Sequence, residues 1–400
     1  MSFKELGLHT SLTDRCESLG YTEPTPIQKQ AIPLVLDGKN VIATAETGTG
    51  KTAAFLLPIL QHLEISQKKG STVLILSPTR ELANQTDAAC RQFAPKHIRC
   101  ASIIGGAGYK NQIDAIRRGA NIIVATPGRL MDFMEQGMLN LSKIDTLVLD
   151  EADRMLDMGF LPAIKRINKA IPANRQTLFF SATLSDDIER IALSLMDDPH
   201  YVEVSARGKA AVTIEQTAYP VGQQFKMPLL LELLDKEDFD RVLIFTRTKR
   251  GADRLAHILE KQSHKSNRIH GDRSQSQREA ALRGFKSGKT TVLVATDVAA
   301  RGIDIDSVSH VINYDIPVVP EDYVHRIGRT GRAGNKGRAI TLFTNAEEHS
   351  MRAIERLTGQ QVERMLLPAF GGQLFTAPAA PTRKSAPAKS FRSYGGRRRK

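Results

Sequence analysis

Residues 147–154 read LVLDEADR. An apolar run, Leu147-Val148-Leu149, ends on three carboxylates, Asp150, Glu151 and Asp153, around the small Ala152. Like charges this close repel, and burying them without partners is costly. The cluster therefore requires either open solvent or a bound cation. The stretch AETGTGKT (45–52) favours the cation: it follows the strand-like VIATA (41–45) and opens the helical KTAAFLLPIL. In the turn formed by Thr47, Gly48, Thr49 and Gly50, the glycines let the backbone bend and aim N–H groups at a phosphate. The following helix adds the positive end of its dipole. Lys51 is then set to reach β- and γ-phosphates, and Thr52 to hold Mg²⁺. The common pattern begins with Gly, where this chain has Ala45. A turn with only a structural role would not need Lys-Thr after its last glycine. Asp150 becomes the second anchor of the metal, directly or through water. Glu151, next along, is placed to polarise an attacking water as general base.

These groups need a scaffold that brings two distant turns together. Short apolar runs recur at 41–45, 72–77, 121–126, 146–150 and 177–183, separated by amphipathic stretches such as RELANQTDAACRQFA. Continuous apolar strands alternating with helices imply a parallel sheet covered on both faces. The pattern pauses at SARGKAAVT (205–213) and resumes at 241–248, 267–270, 291–297, 309–315 and 338–343. The expected class is α/β, with two parallel-sheet domains in tandem: residues 1–205, a linker at 206–213, a second domain at 214–370, and a disordered tail at 371–400. IIVATPGR (122–129) and VLVATDVAARG (292–302) echo each other, so Thr126 and Thr296 should end comparable strands. Ligands bind at that carboxyl edge in open α/β sheets.

At 400 residues two domains are the natural expectation. An apolar fraction of 41% with 25% charged residues belongs to ordinary globular chains. No run of eighteen apolar residues and no signal-like opening is present, so a cytoplasmic location and no membrane association are expected. Cys16, Cys90 and Cys100 lack metal-ligand spacing and read as reduced thiols. The net charge of +13 favours a polyanionic partner. Eight Lys/Arg and no acid lie in residues 371–400, a Pro/Ala/Ser/Gly-rich segment suited to phosphate backbones or to solubility.

Together, AETGTGKT and Asp150-Glu151-Ala152-Asp153 resemble the DEAD-box family of ATP-dependent RNA helicases, over roughly residues 3–345. GYTEPTPIQ (20–28), PTRELANQ (78–85), GG (105–106), TPGR (126–129) and SAT (181–183) follow the family's order in the first half. LIFTRT (243–248), QSQR (275–278), ATDVAARGIDI (295–305) and HRIGRTGRAG (325–334) do so in the second. The opening MSFKELGL and the short basic tail look most like the bacterial RhlE-type branch. The resemblance implies two RecA-like domains, ATP with Mg²⁺, and local, sequence-independent opening of RNA duplexes or remodelling of RNA–protein complexes. Gln28 would read the N6/N7 edge of adenine and Phe3 would stack on it, unless Phe3 only anchors the first helix. Asp304 would touch the ribose. Arg329 and Arg332 would reach the γ-phosphate across the domain interface. Asp153, Ser181, Thr183 and His325 would couple hydrolysis to closure.

The RNA set carried over is Arg80, Gly105, Gly106, Thr126, Gly128 and Arg129 from the first domain. The second domain contributes Thr246, Arg247, Gln275, Arg278, Thr296 and Gly302. Such groups suit phosphate and sugar oxygens and carry little base information. Trp is absent, and no stacking platform for bases is expected. Single-stranded or duplex RNA is the expected partner, with a monomeric chain and room for ribosome-assembly or RNA-decay proteins. Two other readings fit the same motifs, an RNA clamp that seldom unwinds and a DNA-directed motor. A nucleotide kinase would not need the second domain's arginines.

Overall fold

The structure is a computed structural model that describes residues 2–45, 48–67, 70–204, 214–236, 239–300, 308–331 and 337–370, except the side chain of Val298. The expected linker (206–213) and basic tail (371–400) lie outside the described residues.

Two seven-stranded sheets form the frame. The first comprises β1 (Val41–Thr44), β2 (Val73–Leu76), β3 (Cys100–Ile103), β4 (Ile122–Ala125), β5 (Thr146–Leu149), β6 (Gln176–Ser181) and β7 (His200–Glu203). The second comprises β8 (Ile214–Pro220), β9 (Val242–Phe245), β10 (Ser266–Ile269), β11 (Val292–Ala295), β12 (His310–Asn313), β13 (Gly337–Phe343) and β14 (Glu363–Arg364). The strand orders are β3-β4-β2-β5-β6-β1-β7 and β10-β11-β9-β12-β13-β8-β14. Each sheet thus places its third, fourth, second, fifth, sixth, first and seventh strands in the same succession. All the pairings are parallel. The echo between the two halves is therefore structural. Thr126 and Thr296 follow β4 and β11, and their N–H groups donate to the last residue of the neighbouring edge strand, Ile103 (3.0 Å) and Ile269 (3.3 Å).

Side-chain alternation explains why the strands read as unbroken apolar runs. In the first sheet Val41, Ala43, Val73, Ile75, Val124, Val148, Leu178 and Phe180 face one core. Ile42, Leu74, Leu76, Ala125, Leu147, Leu149 and Phe179 face the other. Helices Pro26–Leu36, Lys51–Ser66 and Arg80–Phe93 cover the first face, and helices Pro127–Glu135 and Leu161–Ala170 the second. With both faces buried, alternation with polar residues disappears. The strands that escaped the apolar criterion are β3, β7, β8 and β14. β3, β7 and β14 sit at sheet edges, where β3 and β7 are only partly covered and β14 is exposed. β8 is polar in its first half and ends on Pro220.

The register aligns the strand ends. Leu76 lies opposite both Ala125 and Leu149, and Thr44 lies opposite Ser181. The turns after β1, β2, β4, β5 and β6 consequently leave the sheet at one carboxyl edge. Among the described residues no helix is long and apolar enough to cross a membrane.

Candidate active site and nucleic-acid face

The turn after β1 carries its glycines in the left-handed region, at φ 85° for Gly48 and 93° for Gly50, a conformation that L side chains pay for. A Cβ on Gly50 would also stand 2.4 Å from Gln28 Nε2. Helix Lys51–Ser66 starts immediately afterwards. The Lys51 side chain is buried, and its ammonium donates to the Ala45 carbonyl at 2.6 Å. Thr52 is half-buried in the same first turn, and Thr47 lies outside the described residues.

The carboxylates stand on the neighbouring strand end. Asp150 N–H donates to Leu76 O at 2.9 Å, continuing the β5–β2 ladder. Its side chain is buried, and Oδ2 has no hydrogen-bond partner among the described residues. Burial first, and the Glu151 charge second, push its carboxyl up to about 7, against the pull of Lys51. An unpartnered buried carboxylate oxygen beside a phosphate loop fits a divalent cation. No group of three or more His, Cys, Asp or Glu side chains among the described residues could hold a metal by itself. The oxygens completing the shell would therefore come from a nucleotide, Thr52 and water.

Glu151 has left-handed backbone (φ 51°, ψ 54°) and caps helix Ala152–Asp157. That turn swings its side chain to Arg154, whose Nη1 donates to Glu151 Oε2 at 2.5 Å. Burial alone would raise the Glu151 carboxyl, but Arg154, Lys51 and Arg329 together hold it below its ordinary value. It is ionised at neutral pH, the state in which a carboxylate can accept a proton.

Asp153 connects this turn to the next. Its Oδ2 accepts from Ala182 N (3.1 Å), Thr183 N (3.0 Å) and Thr183 Oγ1 (3.1 Å), while Ser181 Oγ donates to Thr183 O at 2.6 Å. Burial works against the Asp153 charge, and Lys51 and Arg154, with the Arg154 N–H donating to Asp153 Oδ1 at 3.0 Å, hold its carboxyl below the ordinary value. His325 belongs to helix Pro320–Ile327 of the second sheet's layer. Burial, reinforced by Arg154, depresses its imidazole to about 4, so it meets Asp153 as a neutral ring. A narrow cleft collects Arg154 with Asp297, Asp322, His325, Arg326 and Arg329. The two halves of the chain thus meet over the carboxylates. Arg329 is 3% exposed, and its charge acts on Glu151. Arg332 and Asp304 lie outside the described residues.

The two residues expected at the adenine, Gln28 and Phe3, are both buried. Gln28 is buried, its Oε1 accepting from Thr25 N (2.9 Å) and its Nε2 donating to Gly50 O (3.1 Å). Its amide, expected to read a base edge, ties a helix cap to the phosphate loop. Phe3 is buried in the first core beside Leu6, Leu8 and Leu12 rather than presented for stacking. It is an anchor.

On the face expected to meet nucleic acid, the pair of glycines has a local cause. A Cβ on Gly105 would stand 3.1 Å from Arg80 Nη2, and one on Gly106 (φ +78°) 2.2 Å from Arg80 Nη1. The Arg80 guanidinium lies against bare backbone. Thr126 is buried and caps helix Pro127–Glu135, and Gly128 is exposed with open space around it. Arg129 stacks over Tyr109 at 4.1 Å, and Tyr109 stacks on Phe133. In the second half, Thr246 and Thr296 are buried at their strand ends.

Gln275 and Arg278, expected on nucleic acid, bridge the two halves. Arg278 Nη2 pairs with Glu81 at 2.9 Å and Gln275 Nε2 donates to it at 3.3 Å. Arg247 is likewise engaged, its Nη2 donating to Glu347 at 2.8 Å. Gly302 lies outside the described residues. Glu81 and Glu347 were missed because an acid in a first helical turn, where both stand, is favoured by the helix dipole alone. Arg154 was missed because nothing local marks it as Glu151's partner.

Known proteins share this arrangement. Residues 25–191 match the family described as DEAD/DEAH box helicase, and residues 225–334 the helicase conserved C-terminal domain. The chain is 45% identical over 381 residues to the "ATP-dependent RNA helicase CshA" of Listeria monocytogenes, covering 94% of this chain and 73% of that one. It is 46% identical to the "DEAD-box ATP-dependent RNA helicase CshA" of Geobacillus kaustophilus, covering 92% and 79%. These relatives are named CshA, so the RhlE-type expectation gains no support from them. Among solved structures, S. cerevisiae Dbp5 bound to RNA and ADP BeF3 superposes with a TM-score of 0.83 at 33% identity, covering 91% of this chain and 95% of that one. A DEAD box protein from the hyperthermophile Methanococcus jannaschii, 40% identical, covers 91% and 99% with a TM-score of 0.53.

Proposed function

The chain belongs to the DEAD-box family of ATP-dependent RNA helicases, and on that premise we propose that it hydrolyses ATP in a cleft completed only when its two RecA-like domains close on RNA. The observation that carries this reading is the cleft in which Arg154, the partner of Glu151, meets His325 and Arg329 of the other domain, beside the buried Lys51 and Asp150. The arrangement also resembles the RNA- and nucleotide-bound Dbp5 more than the Methanococcus protein, despite lower identity to Dbp5. Identity governs the fold of each domain, whereas their mutual placement governs overall superposition.

The residues divide the work. Main-chain N–H groups around Gly48 and Gly50, with Lys51, bind phosphates. Thr52 and Asp150 would hold Mg²⁺, which when bound supplies positive charge against the β- and γ-oxygens. Glu151 takes the proton of the attacking water. Arg329 stabilises charge on the transferred phosphoryl group. Asp153, bridging to Thr183 and facing His325, relays the state of the site to the second domain. ATP and RNA each contact both domains, so each favours binding of the other. A strand bent across both domains cannot stay in a regular duplex, and base pairs open locally. Domain limits near residues 205 and 214, a cytoplasmic monomer, and ribosome-assembly or RNA-decay partners belong to the same proposal. Within the family, the named relatives favour a CshA-like placement.

ATP turnover should rise with single-stranded RNA and remain near basal with DNA of matched sequence, because only RNA offers 2′-hydroxyls. Equal stimulation by DNA would overturn the RNA assignment. The Arg80–glycine contact makes a separate prediction. Gly106→Ala adopts a left-handed backbone that lowers stability by about 1–2 kcal/mol, and it must push the Arg80 guanidinium aside, at a cost to RNA binding of about 1–1.4 kcal/mol. RNA affinity should fall about five- to tenfold, with ATP affinity in the absence of RNA unchanged, both read by fluorescence titration.

A further inference from the structure

The second domain repeats the topology of the first, and it repeats two ingredients of the nucleotide site, a buried lysine and a carboxylate past a strand end. Helix Lys226–Lys236 follows β8 as helix Lys51–Ser66 follows β1, and each begins with a buried lysine. Asp315 stands two residues past the end of β12 and donates its N–H to Phe245 O at 3.2 Å, close to where Asp150, directly after β5, donates to Leu76 O at 2.9 Å. Lys226 Nζ lies 3.8 Å from Asp315 Oδ1. In the first domain the corresponding space has the unpartnered Asp150 Oδ2. In the second it is filled from within. Glu347 Oε2 accepts from Lys226 Nζ (3.2 Å), Thr344 N (2.9 Å) and Thr344 Oγ1 (3.0 Å). Its other oxygen, Oε1, accepts from Arg247 Nη2 at 2.8 Å.

We infer that Glu347 is a built-in anion, standing where the first domain takes a phosphate, and that it is a positioning residue that aims Arg247 at the RNA backbone. Two carboxylates balance two cations, so the site has no call for a nucleotide. Arg247 is held at both ends, its main-chain N–H by Asp315 Oδ2 (2.9 Å) and its guanidinium by Glu347. Half of the Arg247 side chain stays exposed. One nitrogen of the fork is used by Glu347 and Ile316 O, so among the described residues Nε and Nη1 stay available to a phosphate. A long, mobile side chain held this way loses less entropy on binding. The inference rests on the reading of Arg247 as an RNA contact.

Glu347→Gln separates positioning from folding. Gln serves equally at the third position of the capping box, where its single oxygen faces Thr344. Its NH₂ then meets Arg247 donor to donor and releases it. The RNA concentration giving half-maximal ATPase stimulation should rise about tenfold, the worth of one charge-assisted hydrogen bond at its lower limit. ATP affinity without RNA should stay within about twofold of the parent. Added to Arg247→Gln, the same change should cost nothing further. RNA binding by E347Q as tight as or tighter than the parent, while R247Q loses affinity, overturns the inference alone. So does an equal loss in the R247Q background, which would mark a general structural defect. Unchanged RNA affinity in R247Q overturns the Arg247 reading and the inference with it. Should E347Q melt below the assay temperature, K226M/E347Q removes the buried pair together and must show the same dependence on Arg247.

Discussion

Replacing Arg329 by alanine should lower RNA-stimulated ATP turnover by about 10³–10⁵-fold, the range of an arginine acting on a transferring phosphoryl group. The structural reason is that this guanidinium is buried, so its charge is barely screened, and it acts directly on Glu151. It comes from the other domain, so its contribution exists only in the closed state. Single-turnover hydrolysis at saturating RNA isolates the chemical step. ATP affinity of the open enzyme should change little, because the nucleotide is first held by the turn around Gly48 and Gly50. A loss confined to ATP affinity, with the chemical step intact, would assign Arg329 to domain docking.

Glu151→Gln should lower turnover by about 10²–10⁴-fold, the usual worth of a positioned general base. The amide is nearly isosteric and can still accept from Arg154, so the local turn should survive. ATP-dependent RNA retention should persist or lengthen, since hydrolysis is what would release the clamp. Filter retention beside a phosphate-release assay reads both quantities. Turnover near the parent value would remove Glu151 from the role of base and leave it as Arg154's structural partner. The two substitutions differ usefully: R329A weakens closure over ATP, whereas E151Q should preserve it.

Much of this site was legible before any coordinates. Lys51, Thr52 and Asp150 are identified by local logic, since a glycine turn between strand and helix and a carboxylate at a strand end each need only neighbouring residues to be understood. The α/β class was equally local, because doubly covered strands are apolar on both faces. Edge strands β3, β7 and β14 escaped because edges relax the demand for burial, and β8 because its polar start and Pro220 hide it. Gln28 and Phe3 come from motif transfer rather than from local logic. Motif membership singled them out, yet their immediate partners are a helix cap, a glycine carbonyl and an apolar core.

By itself the sequence determined what is encoded within a turn or a strand: the phosphate loop, the carboxylate cluster, the sheet type and the duplication that Thr126 and Thr296 betray. Tertiary structure decided which charges meet. Glu81 finds Arg278 at a sequence separation near two hundred residues, and Glu347 finds Arg247 at one hundred. An ion pair needs complementary charge at one point in space, and a folded chain can satisfy that from any distance along itself. No local pattern of spacing records it, whereas hydrogen-bonded turns and covered strands leave their periodicity in the residues themselves.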